Sequence, residues 1–193
     1  MLNRLGQSEN MYKGTKYYLE LSEILRSKKI PCEIHFMGRG TEQDAEKLKT
    51  AGFTVHLNAT EEEKILFYRE MDIFVTTSLW EGFNLPLVEA QASGTLGMAL
   101  RTAVHAEVTP YAFANIAAMA RAIAQLANNR RELLAASEKC YRFVRRQFLW
   151  RSSTEQFLRI AAFTPTANRD VKFWKAEIYR RWFRACRFME RAR

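Results

Sequence analysis

Between residues 32 and 100 the chain alternates runs of strand length with segments of helical spacing. The apolar runs are CEIHFMG (Cys32 to Gly38), FTVHL (Phe53 to Leu57), DIFVTTS (Asp72 to Ser78) and TLGMAL (Thr95 to Leu100). They are bounded by glycine or rich in β-branched residues, and each reads as a buried strand. Helical segments precede or separate them at 15–28, where Tyr17, Leu21 and Ile24 share a face, and at 42–49, 61–70 and 85–92. A strand followed each time by a helix predicts right-handed crossovers, a parallel sheet, and helices on both of its faces. The expected class is therefore α/β, a doubly wound parallel sheet. From Ile116 onward the pattern is helical throughout: 116–127, 131–148, 153–162, and a last helix after FTPTAN. The chain thus divides into a domain at 1–150 and an α-helical C-terminal extension at 151–193.

A chain of 193 residues, 48% hydrophobic and 12% aromatic, is long enough to bury a core without disulfide or metal staples. Cys32, Cys140 and Cys186 are odd in number and far apart, which argues against a disulfide framework or a metal knuckle and for a reducing cytoplasm. No apolar run has the length of a spanning helix, and MLNRLGQSEN lacks the apolar core of a signal peptide. The expectation is a soluble or peripheral protein. A net charge of +9 points to anionic company: nucleotide phosphates, nucleic acid or an acidic membrane surface.

In an open parallel sheet, ligands bind beyond the carboxyl ends of the strands. That rim holds Gly38 to Gly40, Leu57 to Thr60, and the start of SLWEGFNLPLVEAQASG (Ser78 to Gly94). Within this stretch Asn84 is a good N-cap, and Pro86 suits a first helical turn, so a helix begins at 84 or 85. Backbone N–H groups of Phe83 to Leu87 then make an anion site at the positive end of the helix dipole, and Gly82 permits close approach. Glu89 lies one turn inside. Its side chain leans toward the helix N-terminus, where a carboxylate beside a phosphate suits vicinal hydroxyls such as those of ribose.

The segment YREMDIFVTTS followed by EGFNLPLVEAQASG resembles the E-x7-E signature of the retaining GT-B glycosyltransferases, in particular family four, or glycosyl transferases group one. NRL and YKG near the start, EIHFMGRG, VHLNATEEEKILFY and FLW (Phe148 to Trp150) follow in the family's order. The resemblance covers roughly 2–150 and implies the C-terminal, Rossmann-like, nucleotide-sugar-binding half of such an enzyme. The donor would be a UDP-, GDP- or ADP-sugar. The resemblance further implies that Arg4 and Lys13 hold the donor diphosphate, and that Glu81 binds the sugar hydroxyls together with the N–H groups of Gly82, Phe83, Asn84 and Leu85. Glu89 would bind the ribose, and the backbone of Leu57, Asn58 and Ala59 the base. Retaining chemistry of this front-face kind rests on leaving-group stabilisation and needs no protein nucleophile. No cofactor and no metal are expected: Asp44, Asp72 and Asp170 form no D-x-D pair, and His35, His56 and His105 are scattered.

The sequence also departs from the family. Asn3 stands where glycine usually precedes the arginine, the stretch from Arg4 to Lys13 is long, and only three residues precede Arg4, so the first strand is truncated or absent. RTAVHAEVTPYAF is irregular, and Glu107 receives no role. In the tail, VKFWKAEIYRRWFRACRFMERAR places Val171, Trp174, Ile178, Trp182, Ala185 and Met189 on one stripe, with Arg180, Arg184, Arg187 and Arg191 opposite. This basic amphipathic helix at 170–193 suits three surfaces: the protein's own domains, an anionic membrane, or nucleic acid. No nucleic-acid motif accompanies it, which ranks nucleic acid last.

Two functions are compatible with these residues. In the first, the chain is the donor-binding half of a retaining glycosyltransferase that passes a hexose to a glycan or lipid-linked acceptor. It would be inactive alone and completed by an acceptor domain or a partner chain carrying one. In the second, it is a non-catalytic remnant whose basic helix binds membrane or nucleic acid. The expected location is cytoplasmic, with peripheral attachment at the inner membrane surface through the tail.

Overall fold

Adjacent residues of the strands point into different cores, and this alternation organises the molecule. In the computed structural model, which describes residues 2–5 and 12–163 (the side chains of residues 2–4, 162 and 163 excepted), Phe36, Val75 and Met98 join one buried cluster. Their strand neighbours Met37, Phe74 and Ala99 join a second. The first cluster is closed by Tyr18, Leu21 and Leu25 of α1 (Thr15–Ser27), Leu48 of α2 (Glu42–Thr50) and Met119 and Ile123 of α6 (Ile116–Ala127). The second is closed by Phe67 and Tyr68 of α3 (Glu61–Glu70) and Leu87 and Val88 of α4 (Leu85–Ala92). Helix α7 (Arg130–Gln147) spans both, with Leu133, Ala136 and Cys140 in the first and Val144 in the second. Strands covered on both faces by helices are the doubly wound α/β arrangement.

The strands are β1 (Leu2–Arg4), β2 (His35–Arg39), β3 (Thr54–Leu57), β4 (Ile73–Thr76), β5 (Leu96–Leu100) and β6 (Ala112–Phe113). All ladders are parallel, in the orders β1-β2-β3 and β4-β5-β6. Among the described residues no ladder joins β1 to β4. The segment ahead of α1 is instead tied to the chain leaving β4 by Leu79 N–H donating to Tyr12 O (2.7 Å) and Thr77 Oγ1 donating to Gly14 O (2.9 Å).

The first strand is present: its three residues pair with Met37, Gly38 and Arg39. Strand β3 is not buried as its sequence suggests. It ends its sheet with Thr54 exposed and Val55 to Leu57 half-covered, as an edge strand must be when no neighbour lies beyond it. The irregular stretch after Arg101 contains α5 (His105–Val108) and the two-residue strand β6.

Residues Met1–Leu149 and Trp150–Arg193 form two separate units. Of the second, the described part is α8 (Trp150–Phe163), on which Trp150, Phe157 and Ile160 are exposed. The tryptophan–arginine helix of the tail lies outside the described residues. Among the described residues no helix is long and apolar enough to cross a membrane.

Candidate functional site

Strands β2, β3 and β4 end at one rim, and the loops leaving them enclose a cleft of about 510 Å³. Its walls are Tyr12 and Lys13 ahead of α1, Gly38 and Arg39 at the end of β2, Ala59, Glu61 and Lys64 around the start of α3, and residues from Thr76 to Pro86. Lys13 and Glu81, 68 positions apart in the chain, meet there with Nζ and Oε1 separated by 2.7 Å, both side chains largely covered. Lys13 reaches this point because Gly14 takes a left-handed turn (φ +69) against β4; a Cβ on Gly14 would lie 2.1 Å from Thr77 O. Only glycine satisfies both conditions at once.

Glu81 rides on a loop fixed from below. Asn84 is buried and caps α4, its Oδ1 accepting from Leu87 N–H (3.2 Å). Its amide nitrogen donates to Thr76 Oγ1 (3.1 Å) and to Nε2 of His105 (3.0 Å). His105, fully buried, donates from Nδ1 to Leu100 O (2.9 Å), which leaves Nε2 as an acceptor and makes the ring neutral. Burial lowers its pKa, with the Leu100 hydrogen bond opposing. Thr102 Oγ1 donates to Ser78 O (2.6 Å), closing the frame. Above it, the N–H groups of Gly82, Phe83 and Asn84 take no partner among the described residues. The Leu85 N–H is not available to a ligand, because it donates to Phe83 O (2.9 Å), and Leu87 N–H is taken by the cap. The anion site at this helix start is therefore narrower than the span from Phe83 to Leu87. Trp80 and Phe83 stand exposed at its edge.

Glu89 is held one helical turn behind. Its Oε2 accepts from Tyr68 Oη (3.1 Å) and faces Lys64 Nζ (3.4 Å), while Lys64 also pairs with Glu61. Lys64 lines the cleft, whereas Glu89 is not among the lining residues and meets the cleft through its contact with Lys64. Burial works against the Lys64 charge, but the Glu61 and Glu89 carboxylates outweigh it and raise its pKa. Tyr68 is pushed well above its ordinary value, first by burial and then by the adjacent Glu89 charge.

Of the expected base-contacting residues, Ala59 lines the cleft. Asn58 instead adopts φ 54 and exchanges two hydrogen bonds with Gly40, at 3.0 and 3.3 Å, and Leu57 closes the β2–β3 ladder. Arg4 ends β1 in register with Arg39; its side chain lies outside the described part. The histidines are not all scattered: His35 Nδ1 and His56 Nε2 lie 3.1 Å apart, their rings stacked across β2 and β3. Among the described residues no group of three or more His, Cys, Asp or Glu is arranged to hold a metal ion.

A family model of the group 1 glycosyl transferases matches residues 3–129. The chain belongs to this family. No curated protein matches it significantly. Among solved structures, TarM of S. aureus in a complex containing UDP superimposes with a TM-score of 0.64 at 20% identity, covering 82% of this chain and 34% of TarM. The C-terminal domain of the group 1 glycosyl transferase LpcC from Francisella tularensis gives 0.60 at 23% identity, covering 77% and 85%. HepE of Anabaena, in complex with UDP and glucose, gives 0.65 at 12% identity, covering 83% and 47%. These likenesses establish the GT-B glycosyltransferase type of fold for this group 1 chain, which spans about a third of TarM's length.

Three parts of the site in this group 1 domain escape sequence reading. Lys64 and Tyr68, at i and i+4 of α3, reach Glu89 from another element, and the helical spacing that aligns them is the only signal. Arg39 reaches the cleft from a GRG stretch that reads as a plain turn. His105 supports Asn84 from within a segment without periodicity.

Proposed function

We propose that this chain is the donor-binding half of a retaining glycosyltransferase that transfers a hexose from a nucleoside-diphosphate sugar to a glycan or lipid-linked acceptor. The observation that carries the reading is the Lys13–Glu81 pair at 2.7 Å beside the unpartnered N–H groups at the start of α4. The complexes of TarM and HepE with UDP support the donor class. Lys13 and the N–H groups of Gly82 and Phe83 meet the diphosphate and neutralise the charge that gathers on it as the sugar–oxygen bond breaks. Glu81 exchanges part of its bond to Lys13 for the sugar hydroxyls, and Glu89 accepts from the ribose. Arg4 is the second cation expected at the diphosphate. The acceptor attacks from the face the leaving group vacates, so a facing domain or partner chain has to position it and exclude water. A cytoplasmic location, peripheral to a membrane through the basic tail, accords with a lipid-linked acceptor.

Calorimetric titration with UDP, GDP and ADP tests this directly. One nucleotide binds, and Lys13→Ala and Glu89→Ala each lose at least about tenfold in affinity, the scale of one charge-assisted contact. Absence of binding by all three up to millimolar concentration defeats the reading and leaves the non-catalytic alternative, with the basic tail as the functional element.

A further inference from the structure

Glu89 is anchored through a single oxygen. Tyr68 Oη at 3.1 Å and Lys64 Nζ at 3.4 Å both address Oε2, and Oε1 has no partner among the described residues. A carboxylate in that state offers one clean acceptor, whereas a vicinal diol presents two hydroxyls. Lys64 supplies what the second hydroxyl needs. Its ammonium carries three donors, of which Glu61 and Glu89 take two, and its side chain, 21% exposed, lines the cleft while touching Glu89. A hydroxyl is both donor and acceptor, so one can donate to Oε1 while its neighbour accepts from Nζ. Lys13 is paired with Glu81 and Arg39 lies on the β2 side of the cleft, whereas Lys64 is in contact with Glu89 itself and is the cation placed for this task.

We infer that Lys64 is a specificity-determining residue that binds the vicinal hydroxyls of the nucleotide ribose jointly with Glu89, so that the site selects ribonucleotides over deoxyribonucleotides. This inference rests on the donor-site reading above. It assigns Lys64 a direct contact with ligand, distinct from merely balancing the Glu89 charge.

The test measures binding of UDP, 2′-deoxy-UDP and 3′-deoxy-UDP, or of the same series for whichever of GDP and ADP binds in its place, to the full chain and to Lys64→Met and Lys64→Gln. Methionine keeps the apolar stem, and glutamine keeps a donor without the charge. Thermal midpoints of both variants establish that they are folded. Lys64→Met is expected to weaken the ribonucleotide about tenfold and at least one deoxy analogue less than twofold, because the analogue already lacks the hydroxyl that Lys64 holds. Lys64→Gln recovers part of the loss. Equal weakening of all three ligands overturns the inference in favour of general electrostatics, and unchanged binding of the ribonucleotide overturns it outright. A wild-type chain that binds no nucleotide at all defeats the donor-site reading itself, and this inference with it.

Discussion

Gly14 shows how much of the site depends on one backbone conformation. Its φ of +69 and the 2.1 Å separation that a Cβ would have from Thr77 O leave no room for any side chain. Gly14→Ala is expected to cost about 2–4 kcal/mol in urea unfolding, combining left-handed strain with a backbone clash. Gly94→Ala is the control, since φ is +93 there but nothing lies within 4 Å of the added Cβ. It should cost only about 1–2 kcal/mol. His105 sets a second prediction at this scale. Burial depresses its pKa in the folded protein, so below roughly pH 6.5 the unfolded chain takes up a proton that the folded chain refuses. Stability is therefore complete above that value and falls with pH until the folded-state pKa is reached. His56, lowered by burial and by its stacked neighbour His35, acts in the same direction. The lowered carboxylates Asp44 and Glu63 act only at more acid pH, below the ordinary carboxylate range. Unfolding free energies measured between pH 7.5 and 5 should decline for the wild type and less steeply for His105→Gln. An identical slope in the variant would remove His105 as a contributor. The residues of the E-x7-E stretch are legible in sequence because their spacing places them on one loop and one helix. Lys64 and His105 are not, because Glu89 and Asn84, which they bond, are brought near by tertiary folding alone, and the place of Arg39 on the cleft is likewise set only by the assembled fold.

At the scale of elements, helix starts are written locally and strand partners are not. Thr41 with Asp44 and Thr60 with Glu63 form reciprocal capping boxes, and Asn84, Asn115 and Asn129 each accept from an N–H three residues on. Such signals explain why the helices at 61–70, 85–92 and 116–127 are read to the residue from sequence. The caps differ in what else they hold. Thr60→Ala removes one exposed cap and should cost about 1 kcal/mol. Asn84→Ala removes the cap of α4 and also leaves buried Nε2 of His105 and Oγ1 of Thr76 without their donor. The expected cost is about 3 kcal/mol, together with loss of nucleotide binding as the Glu81 loop loosens. Equal costs for the two substitutions in chemical denaturation would show that the network beneath the loop is not coupled to the fold. The short elements α5 and β6, by contrast, carry no periodicity. They exist because Val108 fills the second core and Ala112 and Phe113 extend the β4-β5 sheet, requirements set by distant residues. The partial exposure of β3 has the same origin: FTVHL has strand composition, but only the assembled sheet decides that it lies at an edge.

The whole molecule poses a question of completeness. The cleft is open toward solvent along the edge where Trp80 stands 71% exposed, and the chain spans 34% of TarM. If the donor reading holds, binding and transfer separate in this chain. The groups that meet the diphosphate are present in unit Met1–Leu149, so affinity for the nucleotide should survive truncation after Leu149 within about twofold. Transfer requires more: a second reactant held in line with the anomeric carbon, and water kept from competing with it. The expected outcome with a UDP-hexose is therefore saturable binding with no glycosylated product from simple polyol or glycolipid acceptors. Addition of a facing acceptor domain, as a separate chain or fused ahead of β1, should restore turnover in proportion to its occupancy. Charge decides how such a complex responds to salt. With Lys13 paired to Glu81 and Lys64 to Glu89, the apo cleft is largely neutralised, and the bound diphosphate has to compete for the same cations. Raising ionic strength should weaken nucleotide binding less than tenfold between about 0.05 and 0.5 M salt, because partly buried pairs are only weakly screened. Robust turnover by the chain alone would overturn the half-enzyme reading while leaving the donor site intact. A steep salt dependence would move the binding from the cleft to the exposed basic surface.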